Sequence, residues 1–208
     1  LERLLRYVCV LGLMVGLPTQ PASASDPQTI GELHPPVVAS VGDQKIMVYF
    51  FKNNLKDQAT HVHVPDAEIF YSPVNATKPT LNYVWKLEDE QVVSVFFFER
   101  KTPERAGKSM FVLGKSKESY ISFEGFSYSV LELPLIKNGD QLSLKFFRGD
   151  PSDPELQNCR DGRDLEKGVD VVCAYKDAAS IKKRLAALDG KAVADQKREP
   201  GRRIGIQQ

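Results

Sequence analysis

The sequence predicts an all-β protein, an antiparallel β-sandwich (or partly open barrel) of about eight or nine strands with one C-terminal α-helix. Three observations lead there. Val92 to Phe98 reads VVSVFFF, apolar at even positions (Val92, Phe96, Phe98) and at odd positions (Val93, Val95, Phe97) alike. Such a strand has no face that can meet water, so it belongs in a sheet covered on both sides. Asn138-Gly139 separates the runs Leu131–Lys137 and Asp140–Phe147, the best short hairpin signal in the chain. Between these landmarks, short strand-like runs recur without a long helical pattern, which argues against a βαβ arrangement.

The first 24 residues read as a cleaved secretory signal peptide. Arg3 and Arg6 precede the apolar run Tyr7–Leu17, which is too short for a bilayer span, and Ala22-Ser23-Ala24 matches a small-residue cleavage site. The expected product is periplasmic or secreted and has no transmembrane segment after cleavage. The net charge of +1 falls to zero when Glu2, Arg3 and Arg6 are removed, a balance that argues against a nucleic-acid partner. Cys159 and Cys173 are then the remaining cysteines. In an exported chain they read as one disulfide, closing a loop that contributes about 3 kcal/mol in the chain-entropy model.

Residues 25–175 are expected to form the β-sandwich domain. Ser25–Ser40, rich in Pro and small residues, is read as an extended lead-in, and Gln44–Lys52 (QKIMVYFFK) as the first firm strand. His61–Val64 alternates and stops at Pro65, which suits an edge strand. In Leu81–Leu87, Leu81, Tyr83, Trp85 and Leu87 are expected to face inward, with Val84 the exception to the alternation. The acidic turn Glu88-Asp89-Glu90 then leads into the Phe-rich strand as an antiparallel hairpin. Short strands are expected at Met110–Leu113 and Tyr120–Phe123, and the change of apolar phase at Gly125 predicts a bulge or tight turn before Phe126–Val130. Val171–Tyr175 is expected to be the last strand.

After Arg148 the composition changes. Gly149–Asp170 is acidic and is read as a loop closed by the disulfide. Residues 176–190 are expected to form an amphipathic helix capped by Asp177, with Ile181, Leu185 and Leu188 as its apolar stripe and Gly190 as its end. Residues 191–208, basic and nearly without apolar content, predict a disordered tail.

Few constellations suggest chemistry. His61 and His63 lie on one side of a strand, and with Asp66 they form a candidate transition-metal site, zinc being the natural occupant. The carboxylates of residues 150–166 are a candidate calcium loop without EF-hand spacing. Gly107-Lys108-Ser109 and Gly114-Lys115-Ser116 lack the earlier glycine of a phosphate-binding loop, and Gly125-Phe126-Ser127-Tyr128-Ser129 lacks the second glycine of a nucleophile elbow. No catalytic residue is assigned. The expected function is therefore that of a non-enzymatic exported binding protein engaging another protein of the cell envelope, as an inhibitor, immunity protein or assembly subunit. A metal-dependent hydrolase centred on His61 and His63, and a carrier of small hydrophobic ligands, are the alternatives.

Overall fold

The computed structural model of the protein describes residues 32–52, 67–74, 77–78, 80–88, 91–102, 105–147 and 153–198. The leader and its cleavage site lie outside these residues, as do the His61–Val64 strand and positions 199–208 of the expected tail.

The described residues form an antiparallel sandwich of two sheets with a helix on one side. One sheet has four strands in the order β1 (Glu32–Val41), β2 (Gln44–Lys52), β3 (Ala67–Pro73) and β4 (Asn82–Leu87). The other contains β5 (Gln91–Arg100), β6 (Gly107–Ser119), β7 (Phe123–Asn138), β9 (Cys159–Asp164) and β10 (Val169–Val171) in the order β10-β9-β7-β6-β5, with β8 (Gln141–Leu144) paired to the end of β7. A single turn, α1 (Pro154–Gln157), precedes β9, and α2 (Ala178–Arg198) closes the described chain.

The Phe-rich strand sits where its composition requires. On one face of the larger sheet, Met110, Val112, Leu133 and Leu135 pack with Val95 and Phe97 against Ile46, Val48, Phe50 and Ile69 of the smaller sheet. On the other face, Phe96, Phe111, Leu113 and Tyr128 pack against Leu156, Ile181 and Leu185 of the helices. Three layers result, and β5 to β7 form the middle one. A pairing shift between Val92 and Ser94 corrects the expected phase at the start of β5: Val92 joins the inter-sheet core and Val93 is left exposed.

Several expected elements are redrawn. Glu32–Val41 is a strand rather than a lead-in; register shifts around Pro35 and Pro36 and an edge position let it tolerate both prolines. β4 and β5 do not form a hairpin. β4 pairs with β3 and β5 with β6, so the acidic connection crosses between the sheets. A register shift on the β3–β4 ladder carries Val84 into the core with Leu87, leaving Leu81 and Tyr83 exposed, the reverse of the alternation read from sequence. Met110–Leu113 is the middle of the thirteen-residue β6, and Phe126–Val130 and Leu131–Lys137 are one strand of sixteen residues. Tyr120–Phe123 is the turn between them, closed by hydrogen bonds from Tyr120 N to Phe123 O (2.8 Å) and from Phe123 N to Tyr120 O (3.3 Å). The acidic loop contributes β9, and the last strand is Val169–Val171 rather than Val171–Tyr175.

Asp177 caps α2 as its sequence implies, its carboxylate accepting from Ser180 N at 2.8 Å. The helix does not stop at Gly190 but runs to Arg198, so residues 191–198 are helical rather than part of a disordered tail. A helix-interior glycine costs only about 1 kcal/mol relative to alanine, and the good helix formers Lys191, Ala192 and Ala194 follow it.

Gly125 makes no bulge: the β6–β7 register runs through it without a break. It faces Gly162 on β9, and each glycine leaves room for the other strand. A Cβ on Gly125 would lie 2.3 Å from Asp161 O, and one on Gly162 would lie 2.2 Å from Glu124 O. Both obstacles are backbone. Gly125→Val or Gly162→Val is expected to destabilise the protein by about 1–3 kcal/mol, the usual range for overpacking. The loss should appear as a lower denaturation midpoint with faster amide exchange in β9, whereas an unchanged midpoint would show that the two strands separate without cost.

Candidate binding surface

Strand β2 turns Ile46, Val48 and Phe50 into the core, which places Met47, Tyr49 and Phe51 on the outer face of the four-stranded sheet. The outer face of an antiparallel sheet ordinarily alternates to polar residues. Here it continues apolar across neighbouring strands. Met47 pairs with Val38 of β1, Tyr49 with Phe70 of β3, and Phe70 with Tyr83 of β4. The rings touch in sequence: Tyr49 and Phe51 are stacked at 5.9 Å between centroids, Phe51 and Phe70 meet at 5.7 Å, and Phe70 meets Tyr83 edge-on at 5.6 Å. Tyr83 remains 53% exposed and Val38 49%. Lys45 and Lys52 of β2 stand at the ends of this face, and neither is in an ion pair among the described residues. An exposed aromatic patch with a charged rim has the anatomy of a protein-binding surface.

A second apolar feature lies at the end of the larger sheet. The β6–β7 turn presents Tyr120 (62% exposed) and Ile121 (98% exposed). The β9–β10 turn is tied beside it by a hydrogen bond from Leu165 N to Ser122 O at 2.9 Å, which brings the exposed Leu165 alongside. The disulfide Cys159–Cys173, expected from sequence, is formed and ties the start of β9 to the segment leading into α2.

The helix is held to the sheet by buried charges as well as apolar contacts. Arg100 of β5 donates through Nε to Asp189 Oδ1 (3.0 Å) and through a terminal nitrogen to Glu132 Oε2 (2.9 Å). The other Asp189 oxygen accepts from the Lys101 backbone N–H at 2.7 Å, and Glu132 also accepts from Arg105 (3.0 Å) and the Ser109 hydroxyl (3.2 Å). Arg100, Glu132 and Asp189 are all buried. Two cations thus face two anions, and each charge has hydrogen-bond partners, the condition under which burial of ions is tolerated. These residues line a shallow cleft with Leu156, Leu185 and Leu188.

The carboxylates of the former acidic loop are spent on separate partners. Asp153 is bound by Arg184, whose guanidinium holds its carboxyl below the ordinary carboxylate range. Asp161 is lowered chiefly by its hydrogen bond from Lys176 and Asp164 chiefly by the Lys167 backbone N–H. The Ser180 N–H lowers Asp177 at the helix cap. Dispersed in this way, they do not form a calcium cage; among the described residues no group of three or more His, Cys, Asp or Glu side chains is placed to hold a metal. His61, His63 and Asp66, the candidate metal ligands, lie outside the described residues. Among those residues no helix is long and apolar enough to cross a membrane.

No protein-family model matches the chain, and neither the curated proteins nor the solved structures contain a match. The outer aromatic face was partly visible in the sequence, since Gln44–Lys52 is apolar on both sides. Phe70 was missed because Ala67–Pro73 ends in the proline-bearing stretch read as loop. The Arg100–Glu132–Asp189 network carries no local signal at all, since its members are far apart in the chain.

Two tests follow from the charges. Asp189→Ala leaves Arg100 buried without its main partner and is expected to cost roughly 3–5 kcal/mol. Adding Arg100→Met should recover part of that loss in the same denaturation experiment, and a neutral Asp189→Ala would remove the network from the account of helix docking. The lowered carboxyls of Asp153, Asp161 and Asp177 set the pH response. Their folded pKa values lie below the unfolded value of about 3.9, so their stabilisation is complete above that pH. It is lost as pH falls through the folded values. Amide exchange in α2 should therefore be flat from neutral pH to about 4 and accelerate below it; a transition near neutrality would contradict the assignment.

Proposed function

We propose that this chain is a non-enzymatic binding protein of the cell envelope, exported to the periplasm or secreted, that engages another protein through the outer face of its four-stranded sheet. The observation that supports this reading is the continuous aromatic row Tyr49–Phe70–Tyr83 with Phe51 beside it, on a face where an antiparallel sheet ordinarily presents polar residues. Aromatic side chains at such a surface supply large contact area at small entropic cost, and Tyr is prominent among the residues that dominate binding energy. Lys45 and Lys52 at its ends would steer association and set its salt dependence. Export rests on the leader read from the sequence, with which the Cys159–Cys173 disulfide is compatible. Roles as an inhibitor, an immunity protein or a subunit of an envelope assembly all use such a face.

The test is site-specific photocrosslinking of the full chain in living cells, with the photoreactive residue at Tyr83 or, as a control, at Asp140 on the β7–β8 turn. The expected result is one discrete protein adduct from position 83, absent from position 140 and reduced at least tenfold by Phe70→Ser, a loss equivalent to about 1.4 kcal/mol. No adduct at position 83, or equal adducts at both positions, would sink the reading.

A further inference from the structure

Tyr120, Ile121 and Leu165 form a convex apolar tip at one end of the larger sheet, and the sequence there departs from turn chemistry. A two-residue hairpin loop ordinarily uses Asn-Gly or a similar pair. The β7–β8 turn does so with Asn138-Gly139, and Gly139 has φ +56°. The β6–β7 loop instead carries Ile121-Ser122 after Tyr120, with no positive-φ residue among them. A large apolar side chain held in water at a turn that did not require it marks a position kept for something other than folding.

The tip is braced. Gly125 and Gly162 bring β7 and β9 into close approach, Arg160 pairs with Glu118 at 2.9 Å, and Lys167 pairs with Asp164 at 3.2 Å. Arg163 pairs with Asp170 at 3.6 Å and Lys176 with Asp161 at 2.9 Å. Glu124 and Glu166, both exposed, are in no ion pair among the described residues. The unmatched charge beside the tip is therefore negative. On the aromatic face it is positive, from Lys45 and Lys52. One chain thus carries two exposed apolar surfaces, of opposite unmatched charge and on different sheets.

We propose that the occupant of the aromatic face is a second copy of this chain, which seats its Tyr120-Ile121-Leu165 tip there. Contact between two different surfaces of identical chains is heterologous: it joins subunits head to tail and propagates into a ring or filament. Tip-to-face packing buries the exposed side chains of both surfaces, while Glu124 and Glu166 approach Lys45 and Lys52. The proposal rests on the reading of the aromatic face as a binding surface and names its partner.

The experiment is sedimentation velocity on the full mature chain with its disulfide intact, over a range of concentrations. Wild type is expected to form concentration-dependent species larger than a dimer. A tip variant (Tyr120→Ser with Ile121→Ser) and a face variant (Tyr83→Ser with Val38→Ser) are each expected to be monomeric. Mixed one to one, they are expected to give a species of twice the monomer mass that grows no further, because one intact tip meets one intact face. A wild type that stays monomeric overturns the proposal, and so does a mixture that stays monomeric. Should a face variant fold poorly, the charge-reversed chain Lys45→Glu with Lys52→Glu is expected to lose assembly and regain it with Glu124→Lys and Glu166→Lys; failure to regain it counts against the proposal. A monomeric chain whose Tyr83 still crosslinks to a different protein leaves the aromatic face a binding surface and overturns only self-assembly.

Discussion

The structure depends on strands β5, β6 and β7 being apolar on both faces. A strand with one polar face can end a sandwich; a strand with none must lie between two covers. Val95, Phe97, Met110 and Val112 require the small sheet on one side, and Phe96, Phe111 and Leu113 require the helix on the other. Each fully buried side chain of this size contributes about 1.5–3 kcal/mol relative to exposure, so leaving either side uncovered would remove much of the stability of a domain this small. The order of layers follows from that requirement.

The helix meets its requirement in two ways. Ile181 and Leu185 supply apolar contact, which is not directional. Asp189 supplies direction. Its two oxygens are fixed by Arg100 and by the Lys101 backbone N–H, so the helix can neither slide nor rotate without uncovering a buried charge. The small sheet has no comparable lock, and its outer face is where the apolar surface of the protein is left over.

The sequence revealed those features that depend on local pattern. The all-β class, the Phe-rich strand, the Asn138-Gly139 hairpin, the disulfide and the Asp177 cap each rest on a few adjacent residues. What it concealed depends on partners far away. Val92 and Val84 change face because their ladders shift register beside them, and no single-strand pattern records a neighbour's register. Gly125 looked like a bulge because its reason for being glycine, the backbone of Gly162, is 37 positions distant. Tyr120–Phe123 resembled a strand because its turn lacks turn residues. The aromatic face was half legible for the same reason: β2 announced it, while Phe70 and Tyr83 joined it only once strand order was known.

The position of α2 in the chain has a consequence for biosynthesis. A polypeptide is made and delivered amino end first, yet the element covering Phe96, Phe111 and Leu113 is the last one described, ending at Arg198. Until it arrives, the middle layer shows a wall of phenylalanine to its surroundings, and Arg100 waits for Asp189. The nascent chain is therefore at its stickiest just before completion, the stage at which incomplete β proteins aggregate or are taken up by holding chaperones. Truncations that remove the helix would prolong that stage indefinitely.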